Sequence, residues 1–213
     1  MTGLRDVVAL GGPVVAILLV MSVLTVAVTI YKLWQFAASG VGRHKVLSDA
    51  LAAWDAGDPR SAQTRLSQSR SYLAPFIQAA LDTPPSQALS DRLDAEAGLA
   101  LARLERGFRL LDTIAQLAPL LGLFGTVLGM IEAFQNLQTA GAAVDPSLLA
   151  GGIWVALVTT AVGLAVAMPT SMILSWLESR TSRERVFADK ALRTVLMPHD
   201  TRRPAPMTAL DHA

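Results

Sequence analysis

The groups able to do chemistry inside the apolar parts of this chain are hydroxyls. Thr126, Thr159 and Thr160 lie within two long apolar runs, and the only charge in those runs is Glu132, at the far end of the first. A hydroxyl both donates and accepts, so it can hold water or the carboxylate of a partner. It can equally bond the carbonyl one turn back on its own helix and stay inert. Glu132 belongs near a membrane surface, where its carboxylate can reach water; an ionisable group in such a run is a candidate for function. No Ser–His–Asp arrangement, phosphate-binding loop or metal-ligand cluster is legible. There are no cysteines, which removes disulfides, thiolate catalysis and cysteine metal sites. His44, His199 and His212 fall outside the apolar runs, and His44, between Arg43 and Lys45, is expected to be solvated. The expectation is a protein that is not an enzyme, with no cofactor and no metal.

Elements that place hydroxyls in such surroundings are membrane-spanning helices. The chain has 213 residues, of which 52% are hydrophobic and 16% charged, against about 25% charged in a soluble domain. Three apolar runs, 7–30, 114–134 and 148–177, each reach the roughly 20 residues needed to cross a bilayer. The first is too long for the apolar centre of a cleaved signal peptide, and its basic start is cancelled by Asp6 beside Arg5. Tyr31, Lys32 and Trp34 read as interfacial anchors at its end. Between the first and second runs the sequence is polar and helical in spacing. Residues 46–54 have helical apolar periodicity, 55–62 make a turn into another helix, and the paired prolines of 82–87 interrupt. Ser90 reads as the N-cap of a long helix that continues into the second run, and Asp145–Pro146 reads as the start of the third.

Small residues recur at helical spacing in the second and third runs. Gly122, Gly125 and Gly129 share one face of the second. Gly152, Ala156 and Thr160 share a face of the third, as do Thr159, Gly163 and Ala167. Small residues at this spacing let backbones approach closely, which drives helix association in lipid. A hairpin of the two helices consumes some of this surface, and the remainder points to self-assembly. If the two stripes face a common axis, Thr126 and Thr160 line it. Pro119 and Pro169 are candidate bending points, because proline removes a backbone donor.

Lys and Arg set the orientation. Ten lie from Lys32 to Arg109, seven from Arg180 onward, one precedes the first run, and none falls in 135–147. Positively charged segments stay inside, so the loop and tail are expected to be cytoplasmic. The net charge of +1 gives no basic field for nucleic acid.

The segment APLLGLFGTVLGMIEAF (118–134) resembles the second-helix signature of the MotA/TolQ/ExbB proton-channel family, and ALVTTAVGLAVAMP (156–169) its third. The likeness is strong over 100–180 and architectural elsewhere, and three spans look like ExbB first and TolQ next. It implies an all-α integral membrane protein with long cytoplasmic helical extensions, assembling into a ring, a pentamer in the family. The ring would surround a single-span partner resembling ExbD or TolR and serve a TonB-like envelope protein. Thr126 matches the family's GTV threonine and Thr160 that of its TAxGL motif, so both would line the proton pathway and meet the partner's aspartate. A charge crossing 100 mV is worth about 2.3 kcal/mol, enough to bias a small motion. One position departs: the family's usual glutamate, five residues before Thr160, is Val155 here. A TolQ-like role in envelope constriction and a non-conducting scaffold for the partner are therefore the alternatives. In the bacterial inner membrane the resulting layout is a periplasmic N-terminus and first span over 1–36, then a cytoplasmic helical domain over 37–112. The second span covers 113–135, a periplasmic link 136–147 and the third span 148–177. A cytoplasmic helix with a disordered tail fills 178–213.

Overall fold

The computed structural model describes residues 2–69, 71–139 and 146–197. They form seven α-helices and no strand: α1 Thr2–Ala38, α2 Lys45–Asp55, α3 Pro59–Leu66, α4 Ala74–Asp82, α5 Gln87–Glu105, α6 Phe108–Thr139 and α7 Pro146–Leu196. Among the described residues, three stretches are long and apolar enough to cross a membrane, with mean hydropathies of 2.6, 1.9 and 2.0 over their most apolar part. At 1.5 Å per residue, the 51 residues of α7 are more than twice what a span requires, so its charged C-terminal part lies outside any hydrocarbon layer.

Two compact units divide the chain. One comprises 1–34 and 105–179 and holds the apolar helices. Its centre is small where helices meet: Val14 and Leu18 of α1 pack with Ala118 of α6 and Ala167 of α7, flanked by Met21, Leu121, Val162 and Val166. The large apolar side chains point the other way. Val23 is 67% exposed, Leu123 57% and Leu157 61%, the inverse of a water-soluble bundle and the arrangement that a lipid solvent requires. Thr25 and Thr170, both buried, lie hydroxyl to hydroxyl at 3.3 Å between α1 and α7.

Two expectations need correcting within this unit. Tyr31 and Trp34 are exposed, as interfacial anchors would be, but Lys32 is only 1% exposed. It turns inward, its ammonium 5.6 Å from the centre of the Phe108 ring, where the aromatic face attracts a cation. The helix ahead of the second span is also not continuous with it. It ends at Glu105, and Gly107 at φ 91 breaks the path before α6, a backbone state that glycine adopts without steric cost. α1 has a similar interruption at Gly12 (φ 62), just before Pro13.

The other unit comprises 35–104 and 180–213. Its helices are amphipathic, burying Leu47 and Leu51 of α2, Leu66 of α3, Ile77 of α4 and the Leu93–Ala97–Leu101–Leu104 row of α5. Asp58 caps α3 by accepting the Ser61 N–H at 3.1 Å, and hydrogen bonding from the Ser61 hydroxyl and then from its N–H holds the Asp58 carboxyl below its usual pKa. α5 starts ahead of Ser90: the Ser86 hydroxyl accepts the Leu89 N–H at 3.2 Å, so the cap lies four residues earlier than the spacing implied. His44 is not free in solvent. Its Nε2 lies 2.8 Å from Glu184 Oε1, and its ring stacks on Phe187. Glu184 is 2% exposed and also accepts the Gly42 N–H at 2.7 Å. Burial pushes the Tyr72 phenol up, and the neighbouring Glu184 charge adds to the shift. The helix start expected at Asp145 lies outside the described residues, and α7 begins at Pro146.

Candidate functional site

The α6–α7 seam is built from absences of side chain. A Cβ on Gly122 would meet the Thr159 carbonyl oxygen and the Thr160 Cα, both at 3.0 Å, and Gly163 beyond them. One on Gly163 would lie 2.6 Å from the Ala118 carbonyl oxygen, and one on Gly125 2.6 Å from Thr159 Oγ1. Gly129 faces Ala156 at 3.1 Å, and Gly152 abuts Ala133. The sequence stripe of Gly122, Gly125 and Gly129 thus meets members of both small faces of the third run, Gly152, Ala156 and Thr160 of one and Thr159 and Gly163 of the other, along one antiparallel contact. Ala133 continues it toward the helix ends.

Close approach lets side chains of one helix reach the backbone of the other. Thr160 donates its hydroxyl to the Gly122 carbonyl at 3.1 Å, and Thr159, 2% exposed, lies within 3.2 Å of the same oxygen while donating to Ala156 at 2.7 Å. The two contacts with the Gly122 carbonyl cross between the helices and help fix the register of the pair. Thr126 does not join them. It donates to the Leu123 carbonyl of its own helix at 2.6 Å. On helical spacing, Thr126 sits at one edge of the glycine stripe and Thr160 at an edge of its own. The hydroxyl oxygens of both keep acceptor capacity.

α6 continues through Pro119 and α7 through Pro169. Neither proline terminates its helix. Pro169 and the buried Thr170 line a groove that α1 shares with them, carrying the hydroxyls of Ser22, Thr25 and Thr29. Sequence reasoning missed this polar face of α1, although serine and threonine spaced three and four apart in an apolar run are the signal for it. It placed Thr159 among the mid-span hydroxyls and in a small-residue stripe but did not foresee its packing, in which that residue fills the space in front of Gly125.

A cavity of about 480 Å³ opens beside the seam, among α1, α6 and α7. Glu132, Asn136, Val155 and Thr159 contribute to its walls; Thr126 and Thr160 do not. Val155 therefore faces a cavity rather than the seam itself. Among the described residues, no group of His, Cys, Asp and Glu is placed to hold a metal.

Three apolar helices, two of them locked through glycines and threonine hydroxyls, define a multi-pass membrane protein whose polar groups are held inside the spans. The chain belongs to the MotA/TolQ/ExbB proton channel family, whose model matches residues 68–189. It is 33% identical to an ExbB-like biopolymer transport protein of Synechocystis over 181 residues, 82% of this chain and 70% of that one. A biopolymer transport protein of Vibrio cholerae bearing the ExbB name is 45% identical over 78 residues, 35% of this chain and 34% of its own. A Tol-Pal system protein TolQ of Haemophilus influenzae is 40% identical over 79 residues, 37% of this chain and 34% of that protein.

Proposed function

We propose that the chain is an ExbB-like proton-channel subunit that uses the proton gradient, with an ExbD-like single-span partner, to energise TonB-dependent transport across the outer membrane. It acts as a ring of identical subunits in the bacterial inner membrane, with its N-terminus periplasmic and its C-terminus cytoplasmic. The observation that carries this reading is the bond from Thr160 to the Gly122 carbonyl at 3.1 Å. It fixes a mid-span hydroxyl at the edge of the seam, with its oxygen still able to accept. A partner carboxylic acid arriving there, when protonated, would donate to that oxygen; when ionised, it would compete for the hydroxyl hydrogen. Thr126 supplies a second hydroxyl at the edge of the other helix.

The test is partner-dependent proton uptake by liposomes containing the purified complex. Thr160→Val keeps the shape and removes the hydroxyl, and uptake should fall by roughly tenfold or more, the scale of one lost hydrogen bond to a charged group. Unchanged uptake would remove Thr160 from the pathway. A second reading, a non-conducting scaffold for the same partner, is favoured by the apolar Val155 facing the cavity. It expects a stable complex with no uptake in the wild type and gain of uptake in Val155→Glu. The likeness to TolQ supports a variant of the leading reading in which the same motor constricts the envelope.

A further inference from the structure

The cavity beside the seam has the dimensions of a half-channel. Its walls run along α6 from Gly125 to Asn136 and along α7 from Thr159 to Gly151. Eleven residues of helix at 1.5 Å each make roughly 16 Å, about half of a 30 Å hydrocarbon layer. At the inner end the space is closed by Thr159, whose hydroxyl already fills the position a Gly125 side chain would take. At the other end it stays open. A Cβ on Gly151 or on Gly12, both in the walls, would meet nothing within 4 Å. A volume of about 480 Å³ has room for on the order of ten waters. Polar partners for them are present in Glu132, Asn136 and the oxygen of Thr159. Glu132 is the one titratable side chain among the described lining residues.

We infer that each subunit carries its own water-filled half-channel from the α6–α7 link side to mid-membrane, with Glu132 as its cation acceptor. The ligand is a small monovalent cation, and the proton if the function proposed above holds; that identity alone rests on the earlier reading. The exposed Glu132 carboxylate in the wall of this water-filled cleft, among apolar residues of low dielectric, concentrates cations there, while Thr159 stops a continuous leak. The half-channel is distinct from Thr126 and Thr160, which lie outside it.

The chain contains no cysteine, so single-cysteine variants report water directly. Val155→Cys, in the cavity wall, and Ile17→Cys, 49% exposed on α1 one turn from Val14, are treated in the full-length complex with membrane-impermeant thiosulfonates, one cationic and one anionic. Val155→Cys should react roughly tenfold faster than Ile17→Cys from the link side only. The cationic reagent should outpace the anionic one, and Glu132→Gln should abolish that preference. Equal, slow labelling at both positions would overturn the water-filled half-channel. Fast labelling without charge preference, or a preference unaffected by Glu132→Gln, would overturn the acceptor role. Neither result depends on conduction: a wild-type complex that fails to take up protons yet shows the labelling pattern refutes the motor and leaves the half-channel supported.

Discussion

Gly163 lies so close to Ala118 across the α6–α7 seam that a methyl group on it would stand 2.6 Å from the Ala118 carbonyl oxygen. The obstacle is backbone, which cannot swing aside as a side chain can. Gly163→Ala should therefore force the helices apart, costing about 1–3 kcal/mol of overpacking and stretching the Thr160 bond to Gly122. Gly98→Ala is the control. It sits in α5 with nothing within 4 Å, so it should be neutral or stabilising by up to about 1 kcal/mol through helix propensity. Thermal unfolding of the detergent-solubilised protein distinguishes the two; equal melting temperatures would refute the tight seam.

Thr159 and Thr160 bond the same carbonyl, yet their side chains do different work. Thr159 is buried and fills the space before Gly125, while Thr160 is half-buried at the edge. Thr159→Ala should open a void and lower stability by about 1–2 kcal/mol through lost packing and lost hydrogen bonds. Thr160→Val keeps the volume and should change melting by less than about 1 kcal/mol while lowering proton uptake. A larger loss of stability from Thr160→Val than from Thr159→Ala would reverse these assignments.

Much of this seam was legible because glycine spacing in an apolar run has few meanings. Gly122, Gly125, Gly129, Gly152 and Gly163 announce close approach, and the structure supplies its partners. Partners separated by long stretches of sequence were not legible. His44 stands between two cations at 43 and 45, and nothing local indicates that Glu184, 140 residues away, will bury against it. Lys32 likewise sits between two exposed aromatic anchors, and nothing local in sequence indicates that it will turn inward against Gly107 and Phe108. Glu132 could be placed at the end of its apolar run from sequence, but a cavity is made by three helices at once and leaves no periodic trace.

Glu184 is the most consequential charge in the 35–104 and 180–213 unit. It is buried, accepts the Gly42 N–H and pairs with His44. Glu184→Ala should strand both partners and cost about 1–3 kcal/mol, the range for leaving a buried hydrogen-bond partner unsatisfied. Glu184→Gln, which retains a carbonyl acceptor for Gly42, should cost less. A double-mutant cycle with His44→Ala should show coupling of at least about 0.5 kcal/mol, the range for residues in one hydrogen-bonded network. Additive effects within about 0.3 kcal/mol would mean that the 2.8 Å contact is not energetically coupled.

Tyr72 gives the same unit a defined alkaline limit. Burial, then the Glu184 charge, raises the Tyr72 pKa above its unfolded value of about 10. The folded state therefore favours the neutral phenol, while the unfolded chain ionises first as the pH climbs. The stabilisation is fully present below pH about 10 and is lost as pH rises from there through the higher folded-state value. Melting temperature should fall through this window in the wild type. Tyr72→Phe keeps the ring and removes the ionisation, so its curve should fall less steeply above pH about 10. Glu184→Gln should reduce the slope only partly, because burial is the larger cause and remains. Parallel alkaline slopes for wild type and Tyr72→Phe would show that the phenol is solvated.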